Sequence, residues 1–189
     1  MKTTSIMIVG VGGQGTLLAS KLLGNVLIAR GYDVKLSEVH GMSQRGGSVV
    51  TYVKYGDKVY SPVVDQGEAD YILSFEILES ARWISYLKEG GVLLTNTQKT
   101  WPMPVITGAV EYPEGIVEKL SAMADVQAVD ALTLAEQAGS PKAVNVVLIG
   151  VLSKRMDIPE EARIKAIEET VPAKFLELNK KAVRLGREA

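Results

Sequence analysis

Eight consecutive residues, His40, Gly41, Met42, Ser43, Gln44, Arg45, Gly46 and Gly47, put three glycines, an arginine and the chain's only histidine into one loop after a predicted strand. Glycine there lets backbone N–H groups approach a ligand or partner closely, and a guanidinium stays charged and forks onto phosphate or carboxylate. The chemistry this points to is anion binding, the plain alternative for Arg45 being a salt bridge that holds the loop. The ordinary pKa of an imidazole lies near neutral, where a general base works, but no sequence partner completes a catalytic pair for His40, which favours a hydrogen-bonding role. No catalytic residue and no metal ligand is assigned.

A second glycine turn, Gly10-Val11-Gly12-Gly13-Gln14-Gly15, follows the apolar run Ile6 to Val9 and opens a helical pattern. Gly10, Gly12 and Gly15 satisfy the GxGxxG spacing, and Glu38 ends the next strand where a dinucleotide fold places its ribose-binding acid. An NAD or FAD site and a tight turn that binds nothing both fit this pattern alone. Gln14 beside the third glycine, and the octet after Glu38, are unusual for a dinucleotide site. In an open parallel sheet the loops leaving the carboxyl ends of neighbouring strands share one crevice, so the two glycine loops are expected side by side. Asn145 stands in an otherwise apolar helix, where an unpaired amide would cost a few kcal/mol, so it must have a partner. Trp101 and Met103 are candidates for an exposed apolar edge, whereas Trp83, at helical spacing, reads as core.

The elements that must hold these loops follow from periodicity. Gln14 to Arg30 has apolar residues three to four apart and reads as a helix ended by Gly31, and Asp33 to Glu38 reads as a strand. With Ile6 to Val9 they form a βαβ unit of roughly parallel strands. Ser48 to Lys54 and Lys58 to Val64 read as a hairpin about Tyr55-Gly56-Asp57. Strand Tyr71 to Phe75, helix Glu76 to Leu87, a stop at Gly90-Gly91 and strand Val92 to Asn96 follow, then a loop from Thr97 to Pro104. Gly115 to Met123 is a short helix and Val126 to Val129 a strand. Asp130 caps the helix Ala131 to Ala138, Ser140-Pro141 starts the helix Ala143 to Met156, and Pro159 and Pro172 punctuate helices Glu160 to Val171 and Ala173 to Leu185. The fold class is α/β: a three-layer, Rossmann-like, open, mostly parallel (mixed) sheet with an inserted β-hairpin and C-terminal helices.

Composition removes several function classes. The 189 residues carry 21 Lys plus Arg against 22 Asp plus Glu, so there is no bulk electrostatic case for nucleic acid or an anionic membrane. The longest apolar stretch, Ala143 to Leu152, is far below the ~18 residues of a spanning helix. Cysteine is absent, which excludes disulfides and cysteine-ligated iron–sulfur clusters on this chain.

With both glycine loops in view, the chain resembles the gamma-type subunits of the 2-oxoacid:ferredoxin oxidoreductases along most of its length. GVGGQG and SEVHGMSQRGGSV match the family's amino-terminal signature. Ser74-Phe75-Glu76-Ile77-Leu78-Glu79-Ser80-Ala81-Arg82, the Asn96 loop with Pro102 and Pro104, and Lys142-Ala143-Val144-Asn145 look most like the indolepyruvate branch, where this piece is called the beta subunit. The resemblance implies one gamma-type domain over residues 1–189 in a cytoplasmic, anaerobic enzyme. That enzyme decarboxylates an aryl 2-oxoacid on thiamine diphosphate, passes electrons through iron–sulfur clusters to ferredoxin and forms an acyl-CoA, with CoA as co-substrate. Gly56-Asp57 lacks the following glycine and downstream asparagine of a thiamine diphosphate motif. No cofactor is therefore expected on this chain; thiamine diphosphate, magnesium and the clusters belong to a larger alpha subunit, and activity needs that partner. The alternatives are a free-standing NAD(P)- or FAD-binding Rossmann protein and a gamma subunit acting on pyruvate or another 2-oxoacid. On the main reading, Gly10, Gly12, Gly13, Gln14, Gly15 and the octet His40 to Gly47 face a ligand or the subunit interface.

Overall fold

The computed structural model describes residues 3–38 and 46–189. The apolar run before the first glycine turn forms β1 (Thr4–Val11), and its alternate side chains serve two different cores. Ile6 and Ile8 point to one, Met7 and Val9 to the other, as the period of two in a strand requires. A strand buried on both faces reads as a continuous apolar run, which is why no amphipathic alternation marks it.

Around β1 lies a six-stranded sheet in the order β2-β3-β1-β4-β5-β6. Its other strands are β2 (Asp33–Glu38), β3 (Ser48–Gly56), β4 (Ala69–Ser74), β5 (Leu87–Asn96) and β6 (Asp125–Val129). β1, β4, β5 and β6 pair in parallel, while β3 runs antiparallel to both β1 and β2. The mixed, mostly parallel α/β sheet matches the expected class. β1 and β2 do point the same way, but β3 lies between them.

One face carries α1 (Thr16–Ala29), α5 (Ala131–Ala138), α6 (Val144–Arg155), α7 (Glu160–Thr170) and α8 (Leu176–Glu188), packed with Ile6, Ile8, Val53, Leu73 and Leu94. The other face is covered by α2 (Ile77–Trp83) and α4 (Ile116–Ser121), over Met7, Val9, Ile72 and Leu93. A single-turn helix, α3 (Met103–Ile106), lies in the connection after β5. Among the described residues no helix is long and apolar enough to cross a membrane.

Two local readings are corrected. Lys58 to Val64 is not a strand; the hairpin is β2 with β3, registered Asp33↔Gly56 through Glu38↔Thr51. Val59 and Val64 are both buried, Val64 in the core that holds Met7 and Val9, and burial favours the same β-branched residues as a strand. Gly90-Gly91 does not end a helix either. The helix stops at Trp83, a 3-10 turn covers Ile84–Tyr86, and both glycines lie within β5, where its register against β4 shifts between Ala69 and Tyr71. A Cβ at Gly91 would stand 3.0 Å from the Ala69 carbonyl oxygen, so close backbone approach selects glycine there.

Candidate ligand and subunit-contact site

The glycine turn sits at the carboxyl end of β1 and is closed largely on itself. Gln14 turns back so that its Oε1 accepts from Val11 N at 2.8 Å, while Gln14 N donates to Val11 O at 3.2 Å. Its Nε2 reaches the Phe75 carbonyl at the end of β4, at 3.4 Å. A Cβ on Gly10 would meet Gln14 Oε1 at 2.7 Å and Phe75 Cβ at 2.9 Å, so the first glycine makes room for this glutamine. Gly13 and Gly15 have φ of +97° and +85°, the left-handed region that side chains resist, and Gly15 is the N-cap of α1.

The described end of the octet lies against this turn. Gly12 N donates to Gly47 O at 2.9 Å, and Val11 pairs with Ser48. The proximity expected of the two loops is therefore present for Gly47, with a different cause: β3 is antiparallel and begins where β1 ends. His40, Gly41, Met42, Ser43, Gln44 and Arg45 lie outside the described residues.

This geometry weighs against the dinucleotide alternative. The amides of Val11, Gly12 and Gln14 already have acceptors within the chain, whereas a pyrophosphate at a Rossmann turn is held by such amides. Glu38 accepts from Ser20 Oγ of α1 at 2.8 Å, so it ties β2 to the first helix.

Asn145, the polar residue of the apolar helix, finds its partner in the turn. Its Nδ2 donates to Gly15 O at 3.3 Å, and its Oδ1 accepts from Val146 N at 2.9 Å. A Cβ at Gly15 would lie 2.7 Å from Asn145 Nδ2, so α6 braces the third glycine directly. A cleft of about 430 Å³ opens beside it, lined by Gly13, Gln14, Gly15, Gln98, Lys142 and Asn145 among others. A second cleft of about 450 Å³ shares Lys142 and Asn145 and continues over Phe175 and Leu178. Lys142 supplies a positive charge where the two clefts meet. Sequence spacing did not mark Lys142 or Gln98 as neighbours of the turn; the amide stranded in an apolar helix was the available signal.

Beyond the turn, Glu76 is almost fully buried and caps α2. Its Oε2 accepts from Glu79 N at 2.9 Å, and its Oε1 from Thr100 N at 3.0 Å and Tyr112 OH at 2.7 Å. Burial, followed by this hydrogen bond to a carboxylate, pushes the Tyr112 phenol well above its ordinary range. Asn96 ties the ends of three strands, donating to Phe75 O at 3.2 Å and accepting from Ala131 N at 3.2 Å. Trp83 packs into the second core, with its indole N–H 3.2 Å from Glu79 Oε2. Trp101 and Met103 are exposed.

The residues do not suit the metal centres that the resemblance implies. There is no cysteine, and among the described residues no group of three or more His, Cys, Asp or Glu is placed to hold a metal ion.

Fold and turn together define a mixed-sheet α/β domain with a Rossmann-like glycine turn whose amides are largely spent within the chain. The chain belongs to the pyruvate ferredoxin/flavodoxin oxidoreductase family, whose model matches residues 5–189. It is 45% identical to the indolepyruvate oxidoreductase subunit IorB of Thermococcus kodakarensis, over 100% of this chain and 96% of that protein. Among solved structures, the pyruvate oxidoreductase subunit PORC of Thermotoga maritima superposes with a TM-score of 0.78 at 26% identity, covering 100% of this chain and 97% of that one. The same fold occurs within the 2-oxoglutarate:ferredoxin oxidoreductase of Magnetococcus marinus, with a TM-score of 0.75 and 18% identity, where it accounts for 31% of that chain.

Proposed function

We propose that this chain is the smaller subunit of an indolepyruvate, or aryl 2-oxoacid, ferredoxin oxidoreductase and serves it as one gamma-type domain over residues 1–189. The observation that carries the reading is 45% identity to an indolepyruvate subunit across the whole chain, against 26% to a pyruvate subunit of the same fold. The assembled enzyme converts the 2-oxoacid and CoA to acyl-CoA and CO2 and delivers the electrons to ferredoxin.

Iron–sulfur clusters reside on a larger alpha subunit, because thiolate ligands are absent here, and thiamine diphosphate and magnesium reside there too, because Gly56-Asp57 lacks the rest of a thiamine diphosphate motif. This chain's own contribution is to shape the approach to the active site. The glycine turn Gly10 to Gly15, braced by Asn145, and the octet His40 to Gly47 face the partner or an anionic co-substrate, with Arg45 and Lys142 as its cations. The setting is cytoplasmic and anaerobic, with ferredoxin reached through the complex.

The test is anaerobic co-purification with the larger subunit, with iron, sulfide and thiamine diphosphate assayed and viologen reduction measured for indolepyruvate and pyruvate. The expected result is a complex that prefers indolepyruvate and an isolated chain that is colourless and inactive. Dye reduction by the isolated chain, preference for pyruvate, or micromolar binding of NAD(P) to the chain alone would each overturn the reading.

A further inference from the structure

The connection between β5 and α4 ends in an apolar knob. From Thr100 to Val110 no residue is charged, in a chain that is 23% charged. Trp101, Met103, Ile106 and Val110 are 60%, 65%, 60% and 56% exposed. The knob is compact: Pro102 O accepts from Val105 N at 2.9 Å and Ile106 N at 3.1 Å, and Pro104 O accepts from Ala109 N at 2.9 Å and Val110 N at 3.2 Å. Both of its stems are tied to buried Glu76 through Thr100 N and Tyr112 OH, and Gln98 O accepts from Ile77 N at 3.1 Å. Such anchoring spends a buried carboxylate on holding solvent-exposed apolar side chains in place. It also lowers the ordering cost of binding.

We infer that this knob is the contact through which the chain docks onto the larger, cofactor-bearing subunit, an inference that rests on the function proposed above. The four side chains expose on the order of 400 Å² of surface, the size of the largest apolar patch on a typical monomer, which is often functional, and about half of what one partner buries in a standard interface. Exposed Lys99 precedes the knob and exposed Glu111 and Glu114 follow it, so the rim has no excess of positive charge to attract an anionic lipid surface. The matching surface on the larger subunit is apolar. Gln98, at the foot of the knob, lines the cleft with Gly13 and Gly15, so docking here brings the glycine turn to the subunit boundary.

The experiment co-expresses the tagged larger subunit with the wild-type chain, with the double variant Met103→Glu/Ile106→Glu, or with the control Tyr60→Glu/Val63→Glu, whose sites are also exposed. Affinity is read by interferometry, mass by light scattering and folding by circular dichroism. The expected result is a folded knob variant whose Kd for the larger subunit rises on the order of 100-fold, with the control unchanged. Wild-type affinity in the folded knob variant would overturn the docking surface and leave the proposed function standing. If the wild-type chain itself fails to bind the larger subunit, the function and the surface fall together. A homodimer of the isolated chain that the knob variant dissociates would make a second copy the occupant and overturn the assignment.

Discussion

Replacing Gly186 by alanine should destabilise the protein by about 3 kcal/mol, although alanine is the better helix former. Gly150 on α6 and Gly186 on α8 mark the crossing of the two helices. A Cβ at Gly186 would stand 1.9 Å from Val147 O and 2.8 Å from Val147 C, and one at Gly150 would stand 2.3 Å from Val183 O. The obstacles are backbone atoms, so no rotamer change relieves them. Restoring an ordinary contact of 3.4 Å requires a local separation of about 1.5 Å. Val147, Ala182 and Val183, all buried, then lose contact, and a radial gap of even ~1 Å forfeits up to about half of each dispersion well. The propensity gain of about 1 kcal/mol does not offset this. Gly24, also in a helix, is the control: a Cβ there would lie 3.3 Å from Leu36 Cδ1, the end of a half-exposed, flexible side chain, so Gly24→Ala should stabilise by about 0.5–1 kcal/mol. Urea unfolding followed by far-UV circular dichroism reads both. With a slope of ~2 kcal/mol per molar urea, the Gly186→Ala midpoint falls by about 1.5 M with the slope unchanged. A Gly186→Ala midpoint within error of wild type, or equal losses from both variants, would refute the close-crossing argument.

Asn145→Ala removes the bond to Gly15 O and should cost about 1–2 kcal/mol in the same assay while loosening the turn, seen as faster amide exchange at Gly13 to Thr16. Arg163 is buried with Nε and Nη1 lacking acceptors among the described residues, and burial lowers its pKa, so Arg163→Met should raise the melting temperature; a lower one would mean that the guanidinium has a partner the fold depends on. The phenols of Tyr52, Tyr55 and Tyr112 are all raised above 10, chiefly by burial, so above pH 10 the unfolded chain releases protons that the folded chain keeps. The phenols' contribution to stability should be level below pH 10 and fall above it, and Tyr112→Phe should flatten that fall in pH-dependent urea titrations. Arg45→Ala should weaken complex assembly or raise the apparent KM for CoA, by the equivalent of about 2–5 kcal/mol if the contact is buried, with Arg45→Lys restoring part of it; unchanged assembly, KM and turnover would make the octet a structural loop.

Where local signals agreed, the chain's elements were legible in one dimension. Asp130 caps Ala131–Ala138 by accepting from Thr133 N, and Ser140 accepts from Lys142 N ahead of Pro141, both as their residue types require. The buried interiors of β1 and β4 were readable from apolar runs alone. Errors arose where burial and propensity act alike. Val59 and Val64 suggested a strand because burial favours the same β-branched residues, and Gly90-Gly91 suggested a helix stop because glycine also marks a bulge.

From the sequence alone came the class of fold, the two glycine loops, the exclusion of cysteine-bound clusters and the need for a partner to Asn145, since each depends on residue type and short spacing. Tertiary structure decided the rest, because it depends on contacts between residues far apart in the chain. It set β3 antiparallel between β1 and β2, which brings Gly47 onto Gly12. It placed Asn145 of α6 on Gly15, 130 positions away, and Lys142 at the mouth of the cleft. It also bound Thr100 and Tyr112 to one buried carboxylate, turning an uncharged loop into a fixed apolar surface.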